Sequence, residues 1–394
     1  MDYPPGIFSV KITAAPVLII NCLTTLGESS IAEGKYLIVL GIAAFIGALL
    51  ATVQVRRWAV RHGFVDHPGG HKTHVQPVPL GGGIVIFWVT MLPMVAALLC
   101  AVLWSKTSVP AFLPKSLSQH IEGLAGRTRL LLTLIIAAAV LHVVGLIDDK
   151  RPLGAKFKLL AQFAAVSLPV VVGGIRFQFF ITNFWITVLL SMVWMVVIIN
   201  AFNFLDNMDG LSAGIGLICS AMILSAAWTS GQVFVSALLL ILIGTLGGFL
   251  VFNFAPARIY MGDAGSLVVG LLISAATIQT TYYHEHSISG VWFNTLMPLI
   301  VLAVPLYDFV SVTLIRLCQG KNPLVGDQQH FSHRLVQRGM STRQAVLTIY
   351  LATACTGLGA TFLNQLSSQG CVLVFVQTIL ILFIIAILER PAKI

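Results

Sequence analysis

Five aspartates stand in three short motifs whose residue types suit the binding of a cation and of phosphate groups. They are Asp148 and Asp149 in GLIDDK, Asp206 and Asp209 in NFLDNMDG, and Asp263 in YMGDAG. Each motif lies where a long apolar run meets a polar connection, in a chain with only 14 acidic residues among 394. A carboxylate at the edge of a bilayer is costly unless it is hydrated, paired or bound to a metal. The motifs therefore predict a site at a membrane surface that holds a cation, a substrate, or both.

The segment between residues 200 and 209 concentrates polar oxygen atoms. It contains Asn200, Asn203, Asp206, Asn207 and Asp209. Carboxylate, amide and water oxygens are the ligands of Mg²⁺, which commonly binds jointly with substrate phosphates. The alternative is a polar turn in which Asp or Asn caps the next helix, and this explains one or two of the five residues.

The other two acidic motifs also have two interpretations each. Gly262 and Gly265 beside Asp263 permit a close approach of the backbone to a ligand, and a helix start there favours an anion such as pyrophosphate. The alternative is a simple N-cap. Asp148 and Asp149 would project in different directions from a helix, so that one can face the bundle centre. Alternatively, they form a charge pair that ends the apolar span.

Two segments rich in histidine and basic residues complete the set. Residues 66–83 contain Lys72 and His74 among prolines and glycines, and residues 321–339 contain His330, His333 and Arg334. Both are predicted to bind phosphate, although residues 66–83 can also be read as an ordinary solvated loop. The His-x-x-His spacing lacks the Glu and third ligand of zinc hydrolases. Asp308, within an apolar run, is either a functional residue or the partner of a polar neighbour.

The elements that must position these residues are membrane-spanning helices. Apolar residues make up 57% of the chain and charged residues 9%, and the mean hydropathy is +0.94. These values exclude a soluble domain. About eleven apolar runs are long enough to cross the hydrocarbon layer. They centre near 36–56, 84–104, 128–147, 157–173, 184–202, 211–228, 233–254, 264–281, 292–317, 343–363 and 371–389.

The predicted fold is therefore an all-α, polytopic membrane helical bundle that forms one domain over residues 1–394. Most of the 23 Lys and Arg residues lie in alternate connections and at the C-terminus. The positive-inside rule then places the N-terminus outside and the C-terminus in the cytoplasm. An even number of spans separates the polar segments near 57–83, 148–158, 200–211, 255–265 and 318–342, which places all five on the cytoplasmic face. The basic residues are too dispersed to indicate a nucleic-acid partner.

The motifs, in this order, resemble the polyprenyl-phosphate N-acetylhexosamine-1-phosphate transferase family. The resemblance rests on Asp148-Asp149, the pattern Asn203-x-x-Asp206-x-x-Asp209-Gly210, Gly262-Asp263-x-Gly265, Lys72-x-His74 and the segment from His330 to Arg334. The ending His-Phe-Ser-His-Arg-Leu is closest to the bacterial undecaprenyl-phosphate N-acetylglucosamine-1-phosphate transferase branch. Two departures are Ser332, in place of a histidine, and His71, in place of an arginine.

The resemblance implies a reaction and a role for each motif. N-acetylhexosamine-1-phosphate, with N-acetylglucosamine as the expected sugar, would pass from a UDP-sugar to undecaprenyl phosphate with release of UMP, as the first membrane step of a cell-envelope glycan. The implied cofactor is Mg²⁺, with Mn²⁺ as the alternative ion. Asp263 and Asp149 would be metal ligands, and Asp148, Asp149 and Lys158 catalytic residues. The implied substrate-binding residues are Lys72, His74, Asn203, Asp206, Asp209, His330, His333 and Arg334.

The same resemblance implies an inner (plasma) membrane location, an active site that faces the cytoplasm, and a homodimer as a further expectation. One alternative is the phospho-N-acetylmuramoyl-pentapeptide transferase branch of the same family. An alternative of another class is a secondary transporter, for which binding residues at the bilayer midplane and internal repeats would be expected.

Overall fold

The computed structural model describes residues 28–66, 77–105, 107, 110, 118–177, 181, 183–280, 295–320 and 329–389. Almost all of the secondary structure in these ranges is helical. The helices are α1 (Glu28–Arg61), α2 (Gly82–Trp104), α3 (Ile121–Gly126), α4 (Thr128–Lys150), α5 (Ala155–Ser167), α6 (Phe184–Leu205), α7 (Leu211–Thr229), α8 (Val233–Asn253), α9 (Asp263–Gln279), α10 (Met297–Val301), α11 (Ala303–Cys318), α12 (Phe331–Gln337), α13 (Thr342–Thr361) and α14 (Ser368–Leu388).

Eight helical segments are long and apolar enough to cross a membrane. They are Gly34–Arg61, Gly82–Trp104, Thr128–Lys150, Ala155–Val172, Phe184–Leu205, Leu211–Thr229, Val233–Asn253 and Ser368–Leu388. The three other predicted spans also contain helices, namely α9, the pair α10 and α11, and α13, but these fall outside that set. The all-α, multi-pass membrane fold is thus confirmed, while the count of eleven and the orientation of the termini stay predictions.

Helix α9 forms the centre of the bundle. Every residue from Ala264 to Thr277 is buried, and α9 packs against α2, α4, α6 and α7. A helix that is apolar on all sides is expected at such a position. The outer helices instead expose large apolar side chains, such as Leu50 at 61% and Leu373 at 68%. In a membrane protein these side chains contact lipid, so the buried centre is where polar groups can be concentrated.

A short β-structure joins the start of α2 to the centre. Strand β1 (Val65–Asp66) pairs antiparallel with β2 (Val78–Pro79). Beyond β2, the backbone N–H groups of Gly82 and Gly83 donate to the carbonyl oxygens of Tyr260 and Met261, each at 2.9 Å. The segment before α2 is thereby tied to the segment before α9. Sequence periodicity does not reveal two-residue strands, and none was predicted.

Candidate active site

The candidate site is built around the first turn of α9. The carboxylate of Asp149, at the end of α4, accepts hydrogen bonds from the backbone N–H groups of Asp263 at 2.8 Å and Ala264 at 3.3 Å. These N–H groups have no partner within α9 because they belong to its first turn. Asp149 is therefore a cap for α9 that comes from a different helix, and its charge complements the positive end of the helix dipole.

Two glycines let α4 and α9 approach each other this closely. A Cβ atom at Gly145 would lie 2.5 Å from the carbonyl carbon of Asp263, a distance that real Cβ atoms essentially never show. A Cβ atom at Gly262 would lie 2.6 Å from Oδ2 of Asp149. Gly262 also has φ 67° and ψ 176°, a region that is nearly exclusive to glycine. Gly145 precedes Asp149 by four residues, so both lie on the face of α4 that meets α9.

Lys158 neutralises two of the carboxylates. Its Nζ donates to Oδ2 of Asp148 at 3.2 Å and forms a second ion pair with Oδ2 of Asp263. Asp148 also accepts a hydrogen bond from the backbone of Leu153 at 2.7 Å. Asp148 thus faces the start of α5 while Asp149 faces α9, as expected for adjacent helical positions. Beside Lys158, Phe157 and Leu160 are exposed on the outer surface of the bundle.

Asn203 fixes the other oxygen of Asp263. Its Nδ2 donates to Oδ1 of Asp263 at 2.8 Å and to Oγ of Ser266 at 3.0 Å. Asn203 lies in the last turn of α6, which packs along α9. The carboxylate of Asp263 is thus held by an amide on one side and an ammonium on the other.

Asp206 and Asp209 extend the acidic cluster from the α6–α7 connection. Burial raises the pKa of Asp206 well above its usual value, and the nearby carboxylates of Asp263 and Asp149 raise it further. A backbone hydrogen bond from Gly262 opposes this shift in part. Asp209 accepts a hydrogen bond from the backbone of Ala257 at 2.8 Å, which joins this connection to the segment before α9.

The chemistry of these residues fits a divalent cation that is shared with a ligand. Asp148 and Asp263 pair with Lys158, Asp149 holds the backbone of Asp263, and the charges of Asp263 and Asp149 add to the effect of burial on the pKa of Asp206, so a cation would relieve the repulsion among these carboxylates. Within the described residues, however, no group of three or more His, Cys, Asp or Glu side chains could hold a metal ion by itself. Mg²⁺ typically completes its shell with water and substrate phosphates, so the two observations are compatible.

The segment at the start of α12 packs against the end of α6 and the connection that follows it. The ring of His330 packs edge-on against Phe204, with centroids 5.3 Å apart. The hydroxyl of Ser332 donates to Oδ1 of Asn207 at 2.7 Å. The segment of residues 329–337 therefore contacts the connection that carries Asp206, and the ring of His333 lies 6.5 Å from that of His330.

Two carboxylates support α12 from behind. Asp308 of α11 accepts from the backbone N–H of Phe331 and bonds Nδ1 of His330, both at 2.9 Å. Glu389, just after α14, accepts from Arg334 at 2.8 Å and from the hydroxyl of Tyr307 at 2.6 Å. Asp308 is thus paired with a polar neighbour, which was one of the two interpretations of this residue.

Comparison with known proteins places the chain in a family. The model of glycosyl transferase family 4 matches residues 131–281. The probable undecaprenyl-phosphate N-acetylglucosaminyl 1-phosphate transferase of Bacillus subtilis (strain 168) is 32% identical over 362 residues, which cover 90% of this chain and 91% of the relative. The chain belongs to glycosyl transferase family 4. A similar relative is the decaprenyl-phosphate N-acetylglucosaminephosphotransferase of Mycolicibacterium smegmatis, at 31% identity over 83% of this chain and 82% of the relative. Another is the undecaprenyl-phosphate alpha-N-acetylglucosaminyl 1-phosphate transferase of Escherichia coli (strain K12), which is 27% identical over 79% of this chain and 80% of the relative.

Membership of glycosyl transferase family 4 confirms the resemblance predicted from the order of the motifs, and the chain is an enzyme of this family. The matched region holds Asp148, Asp149, Lys158, Asn203, Asp206, Asp209 and Asp263. His330, His333 and Arg334 lie beyond it, and the structure packs His330 against Phe204, the residue after Asn203. Lys72 and His74 lie outside the described residues. The roles assigned to all of these residues stay predictions.

The structure of this glycosyl transferase family 4 member also shows site residues that sequence reasoning missed. Gln162 exchanges two amide hydrogen bonds with Asn200, at 2.6 and 3.3 Å. His142 is buried, stacks on Phe87 and bonds the carbonyl oxygen of Ala264 through Nδ1 at 3.0 Å. Each of these polar side chains lies inside an apolar span, and that signal could have identified them. Glu389 follows an apolar helix at the end of the chain, where the sequence offers no such signal.

Proposed function

We propose that this protein transfers N-acetylglucosamine-1-phosphate from UDP-N-acetylglucosamine to undecaprenyl phosphate and releases UMP. The observation that carries the proposal is the convergence of Asp149, Lys158 and Asn203 on Asp263. The relatives named for this transfer, or for its decaprenyl counterpart, support it. The predicted cytoplasmic face and the plasma membrane location belong to the same proposal, because UDP-sugars are cytoplasmic substrates.

In the proposed reaction a phosphate oxygen of the lipid attacks the β-phosphorus of the UDP-sugar. The bond between that phosphorus and the bridging oxygen breaks, and UMP leaves with the electron pair. A phosphate monoester has a second pKa of about 6, so the lipid phosphate is already a nucleophile near neutral pH. An aspartate base is therefore optional, and Asp148 is free to hold Lys158 in place.

This chain's residues would act mainly by positioning and by neutralising charge. Lys158 would offset the negative charge that builds up as the two phosphates meet, and Asn203 would keep Asp263 oriented. Asp263 and Asp149 would hold Mg²⁺ together with the substrate phosphates. When bound, Mg²⁺ would supply charge neutralisation and fix the geometry of the diphosphate. The lipid would enter laterally between helices and the UDP-sugar from the aqueous side.

The test is an assay of UMP release. Purified protein is incubated with undecaprenyl phosphate, Mg²⁺ and a panel of UDP-sugars, and we expect UMP from UDP-N-acetylglucosamine. EDTA should abolish release, and added Mg²⁺ should restore it. Asp263→Asn should lower release by about 10²-fold or more, whereas Glu122→Gln, an exposed residue of α3, should not.

Two outcomes would contradict the proposal. Release of UMP only from UDP-N-acetylmuramoyl-pentapeptide would favour the other branch of the family. Uptake of labelled UDP-sugar into proteoliposomes without UMP formation would favour the transporter. Full Mg²⁺-dependent release by Asp263→Asn would refute the metal role of that residue.

A further inference from the structure

Helix α12 is held by side chains of α11 and by the residue that follows α14. Tyr307, Asp308 and Ser311 lie on α11, and Glu389 follows α14. Asp308 bonds His330 and the backbone of Phe331, while Glu389 bonds Arg334 and Tyr307. Arg334 also donates to Oγ of Ser311 at 3.2 Å. We call these two carboxylates, Asp308 and Glu389, the α12 clasp.

The first half of the clasp is deeply buried and fixes one histidine nitrogen. Asp308 is 1% exposed and His330 is 4% exposed. Oδ1 of Asp308 accepts from the N–H of Phe331, and its Oδ2 faces Nδ1 of His330, a pairing that is satisfied when Nδ1 donates. Nε2 is then the nitrogen that remains for a ligand. Because the second oxygen of Asp308 holds the N–H of Phe331 at 2.9 Å, ring and backbone are set by one group.

The second half of the clasp, Glu389, holds the guanidinium group of Arg334. Nη2 of Arg334 donates to Glu389 and to Ser311. Its Nε is buried without a hydrogen-bond partner. Glu389 also accepts from Tyr307, the residue next to Asp308, so both halves of the clasp involve the same turn of α11. The end of the last helix is thus joined to the segment that carries His330.

We propose that Asp308 and Glu389 are positioning residues, which set His330 and Arg334 for the diphosphate of the sugar donor. This rests on the proposed function, since it assigns the segment at α12 to donor binding. The packing of His330 on Phe204, next to Asn203, and the bond from Ser332 to Asn207, next to Asp206, place this segment against the end of α6 and the connection that follows it. Neither carboxylate needs to touch substrate for its loss to weaken donor binding.

The experiment measures KM for the UDP-sugar and for undecaprenyl phosphate separately. Asparagine offers one acceptor oxygen where Asp308 offers two, so Asp308→Asn should leave a buried donor unpaired and raise the donor KM by about 10- to 100-fold. The acceptor KM should change less than twofold. Glu389→Gln should raise the donor KM by about tenfold, and Glu122→Gln on α3 is the matched control.

A double-mutant cycle separates positioning from general loss of structure. In a His330→Ala background, Asp308→Asn should raise the donor KM by less than it does in the wild type, because the part of its effect that passes through His330 is already lost. An additive rise would overturn the inference. Tyr307→Phe is the second variant in case Asp308→Asn fails to fold, and it should raise the donor KM by about threefold through Glu389. An unchanged donor KM in Tyr307→Phe would also overturn the inference.

Failure of this inference is distinguishable from failure of the proposed function. A wild-type protein that releases no UMP from any UDP-sugar would overturn both. Wild-type release together with an unchanged donor KM in Asp308→Asn and in Glu389→Gln would overturn the clasp alone. A rise in both KM values by the same factor would also overturn it, because it would report a general disturbance of the bundle.

Discussion

Gly145→Ala should impair catalysis although it leaves every polar side chain of the site in place. The added Cβ would lie 2.5 Å from the carbonyl carbon of Asp263, whereas ordinary contact begins at 3.4 Å. Helix α4 must therefore move away from α9 by about 1 Å, and misplacement by that amount can cost about 10²-fold in rate. The shift would lengthen the two hydrogen bonds from the backbone of α9 to Asp149. We expect kcat/KM for UMP release to fall by about 30- to 100-fold, which is about 2–3 kcal/mol.

The control for this variant is Gly47→Ala in α1. A Cβ atom at Gly47 would lie 3.7 Å from Cγ1 of Val89, which is an ordinary contact. Both substitutions replace a helical glycine by alanine, which by itself favours the helix by up to about 1 kcal/mol. Thermal unfolding in detergent is measured beside kcat/KM. Overpacking should cost Gly145→Ala about 1–3 kcal/mol of stability, while Gly47→Ala should unfold no earlier than the wild type.

The reasoning would be refuted by a Gly145→Ala protein with wild-type kcat/KM. Such a result would mean that α4 and α9 can separate without loss of function. An equal loss in Gly47→Ala would point instead to a general sensitivity of the bundle to added volume.

Two further predictions concern the cluster and its scaffold. Lys158→Met should lower kcat for UMP release by about 10²- to 10³-fold, because it leaves Asp148 and Asp263 without the ammonium that pairs with them. Lys156 is an exposed neighbour, so the kcat of Lys156→Met should stay within twofold of the wild-type value. Equal losses of kcat in the two variants would contradict the prediction. Asn183 caps α6 by accepting hydrogen bonds from the N–H groups of Trp185 and Ile186. Asn183→Ala should therefore lower the free energy of unfolding by about 1 kcal/mol, measured by thermal unfolding, and leave kcat/KM unchanged. An unchanged melting temperature would show that the cap does not contribute to stability.

The sequence predicted the parts of the site that depend on residue type and on spacing along one helix. Asp148 and Asp149 diverge as adjacent helical positions should, and the acidic motifs do meet at one end of the bundle. The close approach of α4 to α9 was not predicted, because a glycine within an apolar run does not reveal which backbone it faces. Only tertiary packing shows that Gly145 lies against Asp263.

The clasp on α12 was beyond sequence reasoning for a different reason. Its halves are 22 and 55 residues from their partners along the chain, and no local pattern links Asp308 to His330 or Glu389 to Arg334. The members of polar pairs inside spans, such as Gln162 and Asn200, are easier to single out from the sequence, since each is an isolated polar group in an apolar run. Which two of these polar residues pair with each other is shown only by the folded structure.

Exposed apolar side chains beside Lys158 bring the surrounding lipid or detergent close to the candidate site. Phe157 is 55% and Leu160 69% exposed, and both lie within one helical turn of the ammonium that neutralises Asp148 and Asp263. A micelle that surrounds α5 differently from a bilayer therefore changes the surroundings of the helix that carries Lys158. Turnover numbers measured in different detergents would then describe different assemblies of protein and amphiphile, and they become comparable only when the amphiphile is held constant.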